Sequence, residues 1–194
     1  MKIAIIKYNA GNVQSVQFAL QRLGVEALIT DHAEQIQQAD RVIFPGVGEA
    51  SSTMEYLRSK RLDKIIPTLK QPVLGICLGM QLMCQYSEEN NTPCLGIFDE
   101  DVTRFSPDHN LKVPHMGWNQ LQRPTGWLRS TLNGEYFYFV HSYYVPVNRD
   151  TSAVAEYGVP FSAAMRKGNF YAVQFHPEKS AEAGESVLKQ FLSV

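Results

Sequence analysis

Within the first 76 residues, short apolar runs alternate with longer amphipathic stretches, and this alternation narrows the possible folds more than any other feature. Residues 2–6 are strand-like, and Asn9-Ala10-Gly11-Asn12 carries turn chemistry. From Val13 onward the apolar positions Val13, Val16, Phe18, Ala19, Leu20 and Leu23 keep a helical period, and Gly24 stops it. Residues 25–29 and 41–44 read as two further strands, the second ended by Pro45-Gly46-Val47-Gly48. Residues 49–57 and 62–69 have helical patterns, and 72–76 form a fourth strand that runs directly into a helix through Leu82 and Met83. Strands joined through helices by short links predict a parallel sheet covered on both faces.

The second half follows another pattern. From about residue 101, short strands are expected at 101–105, 118–122, 136–140, 153–157, 162–166 and 169–175, and a helix over roughly 182–192 closes the chain. The expected fold is therefore α/β, with a mostly parallel central sheet flanked by helices and an additional antiparallel β-rich portion. At 194 residues, 44% of them hydrophobic, the chain suits one domain spanning 1–194.

Charge and cysteine content exclude several function classes. Lys plus Arg number 18 against 19 for Asp plus Glu, so the basic excess that nucleic acid or an anionic membrane requires is missing. The longest apolar stretch, residues 73–80, is far below membrane-spanning length, and residues 3–6 are too short for a signal-peptide core. Cys77, Cys84 and Cys94 are an odd set without CxxC spacing, which reads as thiols in a reducing compartment. The expectation is a soluble, cytoplasmic protein.

The chemistry concentrates in Gly75-Ile76-Cys77-Leu78-Gly79-Met80-Gln81. Gly-x-Cys-x-Gly at a strand–helix junction has the form of a nucleophile elbow, with sulfur in place of oxygen. Small residues two places to either side permit the sharp turn, and the start of the following helix favours the thiolate. An arbitrary free cysteine is usually structural, and that reading stands for Cys84 and Cys94; the paired glycines set Cys77 apart.

A thiol nucleophile needs a base, and the base needs an orienting group. Among His32, His109, His115, His141 and His176, only His176 is expected both to end a strand and to be followed by a proline and a carboxylate, Pro177-Glu178. Glu178 can accept a hydrogen bond from the imidazole and fix its tautomer. His115 and His141 have no metal-ligand partner at helical or hairpin spacing, so neither a metal nor a cofactor is expected. For a developing oxyanion, the Leu78 N–H is one candidate donor and the Gly46-Val47-Gly48 turn a second. That turn lacks the glycine spacing and the lysine of a phosphate-binding loop.

With Phe175-His176-Pro177-Glu178, the elbow resembles the class I, or triad, glutamine amidotransferases. Pro45-Gly46-Val47-Gly48, Pro114-His115-Met116-Gly117-Trp118-Asn119 and Tyr138-Phe139-Val140-His141-Ser142-Tyr143 narrow the resemblance to the glutaminase subunits of bacterial imidazole glycerol phosphate synthases. Where those subunits usually have an Asp-Tyr-Gly-like element after the first strand, this chain has Lys7-Tyr8-Asn9-Ala10-Gly11-Asn12.

The resemblance implies that Cys77 attacks the side-chain amide of glutamine, with His176 and Glu178 completing the triad. It implies glutamine contacts at Gln81, Ser142 and Tyr143, and an oxyanion site bordered by Val47 and Gly48. It also implies a heterodimer with a (β/α)₈-barrel cyclase that uses the ammonia in histidine biosynthesis, with Asn12, Trp118 and Lys179 at or near the interface. Two other readings fit the same residues: a paralogous glutaminase serving a different synthase, such as one that amidates a sugar, and a catalytically silent module on the same fold.

Overall fold

The computed structural model describes residues 1–8, 12–106 and 111–194. In chain order the elements are β1 (Ile3–Ile6), α1 (Val13–Arg22), β2 (Ala27–Thr30), α2 (Ala33–Gln37), β3 (Arg41–Phe44), α3 (Ala50–Ser59), α4 (Leu62–Ile65), β4 (Val73–Ile76) and α5 (Leu78–Leu82). The second half contributes β5 (Tyr86–Ser87), β6 (Thr92–Pro93), β7 (Asp101–Arg104), β8 (His115–Gln120), β9 (Tyr136–His141), β10 (Tyr143–Tyr144), β11 (Thr151–Tyr157), β12 (Val159–Lys167), β13 (Phe170–Val173) and α6 (Ala181–Leu192). A seven-stranded sheet runs β11-β12-β13-β4-β3-β1-β2. Its five strands from β13 to β2 are mutually parallel, while β12 is antiparallel to β13 and β11 to β12.

Alternation along the parallel strands divides the core in two. Ile3, Ile5, Ile43, Leu74 and Val173 face a layer that includes Val16 and Leu20 of α1 and Val187, Leu188 and Phe191 of α6. Ala4, Ile6, Val42, Phe44, Val73 and Ala172 face Met54 and Leu57 of α3 and Leu62 of α4. Both faces of the sheet are thus buried, as expected for parallel strands connected through helices.

The β-rich second half does not stay apart from this sheet. β11, β12 and β13 complete it, whereas β8 and β9 form an antiparallel pair of their own, and β10-β7-β5-β6 make a small mixed sheet in which β5 and β7 run parallel. The order places β13 beside β4, with Val173 opposite Ile76. Two chain segments 97 residues apart, Ile76 and Val173, therefore finish at the same sheet edge, where ligands of open α/β sheets bind.

Several expected boundaries move for local reasons. The strand expected at 25–29 begins at Ala27, because Val25 N–H donates to the Leu20 carbonyl and closes the end of α1. The helix expected over 62–69 breaks after Ile65 into a 3₁₀ turn, Ile66–Thr68, since Pro67 has no N–H to continue an α-helix. The strand expected at 118–122 starts at His115, and Gln122 instead bridges to Val154. The strand expected at 169–175 stops at Val173, three residues before His176. The short elements α2, β5, β6 and β10 were not expected. The turn at Asn9-Ala10-Gly11 and the residue His109 lie outside the described residues.

Candidate active site

Cys77 is the only residue between β4 and α5, and its backbone sits at φ 52° and ψ −107°. A non-glycine residue held there costs on the order of 1–3 kcal/mol and needs its surroundings to keep it. Its N–H donates to the Val173 carbonyl at 2.8 Å, which ties the elbow to β13. The glycines around it are required by space. A Cβ on Gly79 would lie 1.9 Å from the Phe44 carbonyl oxygen, and one on Gly75 would lie 2.9 Å from the Met80 nitrogen and the Met83 sulfur. A Cβ on Gly46 would come within 2.5 Å of the Gly79 nitrogen, so the loop after β3 rests directly on the head of α5. With five residues α5 offers little macrodipole, and its help to a thiolate comes from the first-turn N–H groups, which have no partners inside the helix.

His176 arrives from the neighbouring strand. Its N–H donates to the Tyr138 carbonyl at 2.9 Å, and the Ser180 hydroxyl donates to the His176 carbonyl at 2.7 Å. The ring is fully buried, with Nδ1 2.7 Å from Glu178 Oε1, while Nε2 has no hydrogen-bond partner among the described residues. Burial opposes a charge on this ring, but the Cys77 sulfur and the Glu178 carboxylate outweigh it and raise the His176 pKa to about 10. The protonated imidazolium is the favoured form of this ring. The Asn12 side-chain amide donates to the same Glu178 oxygen.

Cys77, Val47, Gly48, Leu78, Gln81, Ser142 and Tyr143 line one cavity of about 290 Å³. The expected nucleophile, the oxyanion turn and the expected glutamine contacts are therefore brought together. Gly46 lies just behind, its carbonyl accepting from the Leu78 N–H at 3.4 Å. Gln81 is fixed by two hydrogen bonds from Nε2, to the Tyr143 carbonyl at 2.8 Å and to Gln174 Oε1 at 3.0 Å. The other two cysteines are elsewhere in character: burial pushes the Cys84 thiol well up and the Cys94 thiol to about 12.

The residues expected near a partner divide. Trp118 is 53% exposed and Met116 63%, both on the outer face of the β8–β9 pair. Lys179 is also exposed, with its ammonium 5.8 Å from the centre of the Tyr138 ring, which in turn meets Trp118 edge-on. Asn12 is buried against Glu178 and His176.

Three features escaped sequence reasoning. His115 and His141 are directly opposite on β8 and β9, with Nδ1 of the first 2.9 Å from Nε2 of the second, so the two do have a hairpin relationship that their separation of 26 residues conceals. His141 Nδ1 donates to the Tyr143 carbonyl at 2.7 Å, which fixes both tautomers: His115 Nδ1–H donates to His141 Nε2. Tyr8 is buried, and its hydroxyl donates to the Pro45 carbonyl at the start of the oxyanion turn. Gln174 Nε2 lies 3.6 Å from Cys77 Sγ. Its place two residues before His176, on the same face of an extended segment, was the available signal.

A thiol at a strained strand–helix turn lines the cavity, and a buried His176–Glu178 pair follows the neighbouring strand, an arrangement that suits an amidotransferase. A family model described as glutamine amidotransferase class-I matches residues 4–194, and the chain belongs to that family. Among curated relatives, the imidazole glycerol phosphate synthase subunit HisH of Bacteroides fragilis (strain YCH46) is 59% identical over the full length of both chains. HisH of Escherichia coli (strain K12) is 45% identical, again over all of both chains. Within the class I family, this chain falls among the HisH subunits. Solved structures agree on the fold. A glutamine amidotransferase crystal structure matches with a TM-score of 0.76 at 19% identity, covering 98% of this chain and 97% of that one. PurLQS from Thermotoga maritima matches at 0.70 and 16%, covering 99% and 97%.

Proposed function

We propose that this chain, as a single domain over 1–194, is the glutaminase subunit of an imidazole glycerol phosphate synthase. It hydrolyses glutamine to glutamate and ammonia and passes the ammonia to a cyclase subunit. The observation that carries the reading is His176: buried, bonded through Nδ1 to Glu178, with no hydrogen bond at Nε2 among the described residues, and close enough to the strained Cys77 for the sulfur to raise its pKa.

In this reading the Cys77 thiolate attacks the side-chain amide carbon, and the negative charge that develops on its oxygen is met by N–H groups of Leu78 and the 46–48 turn. The His176 imidazolium gives its proton to the departing nitrogen, so ammonia leaves and a γ-glutamyl thioester remains. Neutral His176 then takes a proton from water as the water attacks the thioester, and returns it as the thiol is released. Glu178 orients the ring throughout and stabilises its charge. Gln81, Ser142 and Tyr143 hold the amino-acid end of the substrate.

The apolar outer face of β8–β9, with Trp118 at its centre and Lys179 beside it, is the docking face for a (β/α)₈-barrel cyclase, while Asn12 is buried against His176 and Glu178. Among the described residues no helix is long and apolar enough to cross a membrane, and three unpaired thiols suit the reducing cytoplasm. The test mixes the purified chain with a cyclase subunit and supplies the cyclase substrate. Glutamine-dependent turnover that becomes ammonium-dependent in Cys77→Ser supports the assignment. A Cys77→Ser complex that keeps near-normal glutamine turnover overturns it.

A further inference from the structure

Beneath the nucleophile lies a fully buried side chain that the triad chemistry does not use. Gln174 follows β13 directly, and its backbone N–H donates to the Ala163 carbonyl at 2.9 Å, so its position is set by the sheet. Its amide reaches in two directions. Nε2 points at Cys77 Sγ from 3.6 Å, and Oε1 accepts from Gln81 Nε2 at 3.0 Å. Gln81 Nε2 spends its other hydrogen on the Tyr143 carbonyl at 2.8 Å. A primary amide has two N–H donors, so both of those on Gln81 are committed, and the group it can turn to a ligand is its oxygen. Burying an amide such as that of Gln174 is unfavourable unless both its ends are bonded. Here one end is bonded to the nucleophile and the other to a cavity-lining residue.

We propose that Gln174 is a positioning residue with two linked tasks: donating a hydrogen bond to the Cys77 sulfur, and locking the Gln81 amide so that its oxygen faces the ammonium group of the bound amino acid. An N–H donor supports a thiolate more than a thiol, because hydrogen bonds to a charged acceptor are the stronger ones. The same amide thus ties the state of the nucleophile to the orientation of a substrate-binding group. The inference rests on Cys77 being the nucleophile.

The experiment uses the full chain. Iodoacetamide alkylation of Cys77 is followed against pH by mass spectrometry, and the basal hydrolysis of glutamine gives kcat and KM. Gln174→Glu keeps the shape and still accepts from Gln81, but sets a carboxylate against the sulfur. It is expected to move the alkylation midpoint upward by about one pH unit or more and to lower kcat about 10-fold or more, with KM little changed. Gln174→Met fills the space with neither donor nor acceptor, and is expected to raise KM as well, because Gln81 loses its lock. Wild-type midpoints together with wild-type kcat and KM in both variants overturn the proposal, as does a fall in melting temperature with those values unchanged in the folded protein. Cys77→Ala separates the two levels. Hydrolysis that survives it overturns the nucleophile assignment and this proposal with it, whereas hydrolysis lost in Cys77→Ala but normal in both Gln174 variants overturns the Gln174 role alone.

Discussion

The Leu78 N–H, the first donor after Cys77, is spent on the carbonyl of Gly46 at 3.4 Å. A carbonyl oxygen therefore stands where a developing oxyanion would need a hydrogen bond. The Tyr8 hydroxyl holds the neighbouring Pro45 carbonyl, and Gly48, at the far end of the turn, has φ 128° with open space around its Cα. This arrangement is anchored at one end and free to change backbone state at the other.

The first prediction follows. The isolated chain should hydrolyse glutamine slowly, and a cyclase partner with its ligand bound should raise the rate about 10²–10³-fold, the usual worth of one oxyanion donor. Gly48→Ala disfavours the present positive φ by roughly 1–2 kcal/mol, so basal activity should rise and the stimulation ratio should shrink. Steady-state glutaminase assays of the chain alone, with partner, and with partner plus acceptor analogue are the check. Full activity in the chain alone would show that this turn is no switch.

Thiol labelling provides a second prediction. Cys84 and Cys94 are held as thiols by burial, so iodoacetamide near neutral pH should modify one site per chain, Cys77. Cys84→Ser should retain glutaminase activity within about 3-fold while losing some stability, because it puts a hydroxyl into the apolar core around α5. Peptide mapping that finds Cys84 or Cys94 labelled as fast as Cys77 would refute the distinction.

Much of this was legible in the sequence because it is written locally. The alternation in residues 1–76 locates the parallel strands, and Gly75 and Gly79 announce a turn whose steric demand the structure bears out, since a Cβ at either would strike α5 or β3. What was hidden depends on chain segments that only the sheet order brings together. Asn12 meets Glu178 across 166 residues, Gln174 meets Cys77 across 97, and His115 meets His141 only once β8 and β9 pair in register. The two-residue strands β5, β6 and β10 are too short to show a period, and pairing alone defines them.

The third prediction ranks the triad. Glu178→Gln can still accept from His176 Nδ1 but gives the imidazolium no charge, so activity should fall about 10–10²-fold. His176→Ala removes the proton carrier and should cost about 10³-fold or more. In Glu178→Gln the His176 pKa should drop from its raised position, visible by NMR titration of the ring. Equal and complete loss in both variants, with folding unchanged, would show that Glu178 does more than orient and charge-stabilise the base.

The last prediction concerns acid stability. Burial lowers the pKa of His115 to about 4 and of His141 to about 3, against roughly 6.5 in an unfolded chain. As pH falls below about 6.5, the unfolded state takes up two protons that the folded state refuses until pH 4 and 3. The unfolded state binds more protons in that window, so stability falls with falling pH, by up to about 1.4 kcal/mol per pH unit for each ring. His176 works in the opposite sense and in another window. Its raised pKa contributes stability that is complete below about pH 6.5 and is lost as pH rises through about 10. Between pH 7 and 6, where an unfolded histidine is still partly neutral, His176 offsets about half of that loss, and below about pH 5.5 it is charged in both states and contributes almost no slope. Asp31 and Glu49, whose pKa values are lowered to about 2 by hydrogen bonds to their carboxylates, act mainly below about pH 5. Urea unfolding at pH 7.0, 6.0 and 5.0 should therefore show a steep loss in the wild type and a shallower one in the His115→Gln, His141→Gln double variant, with His141→Gln alone intermediate. Identical slopes in all three would mean that the buried pair does not set the acid limit of the fold.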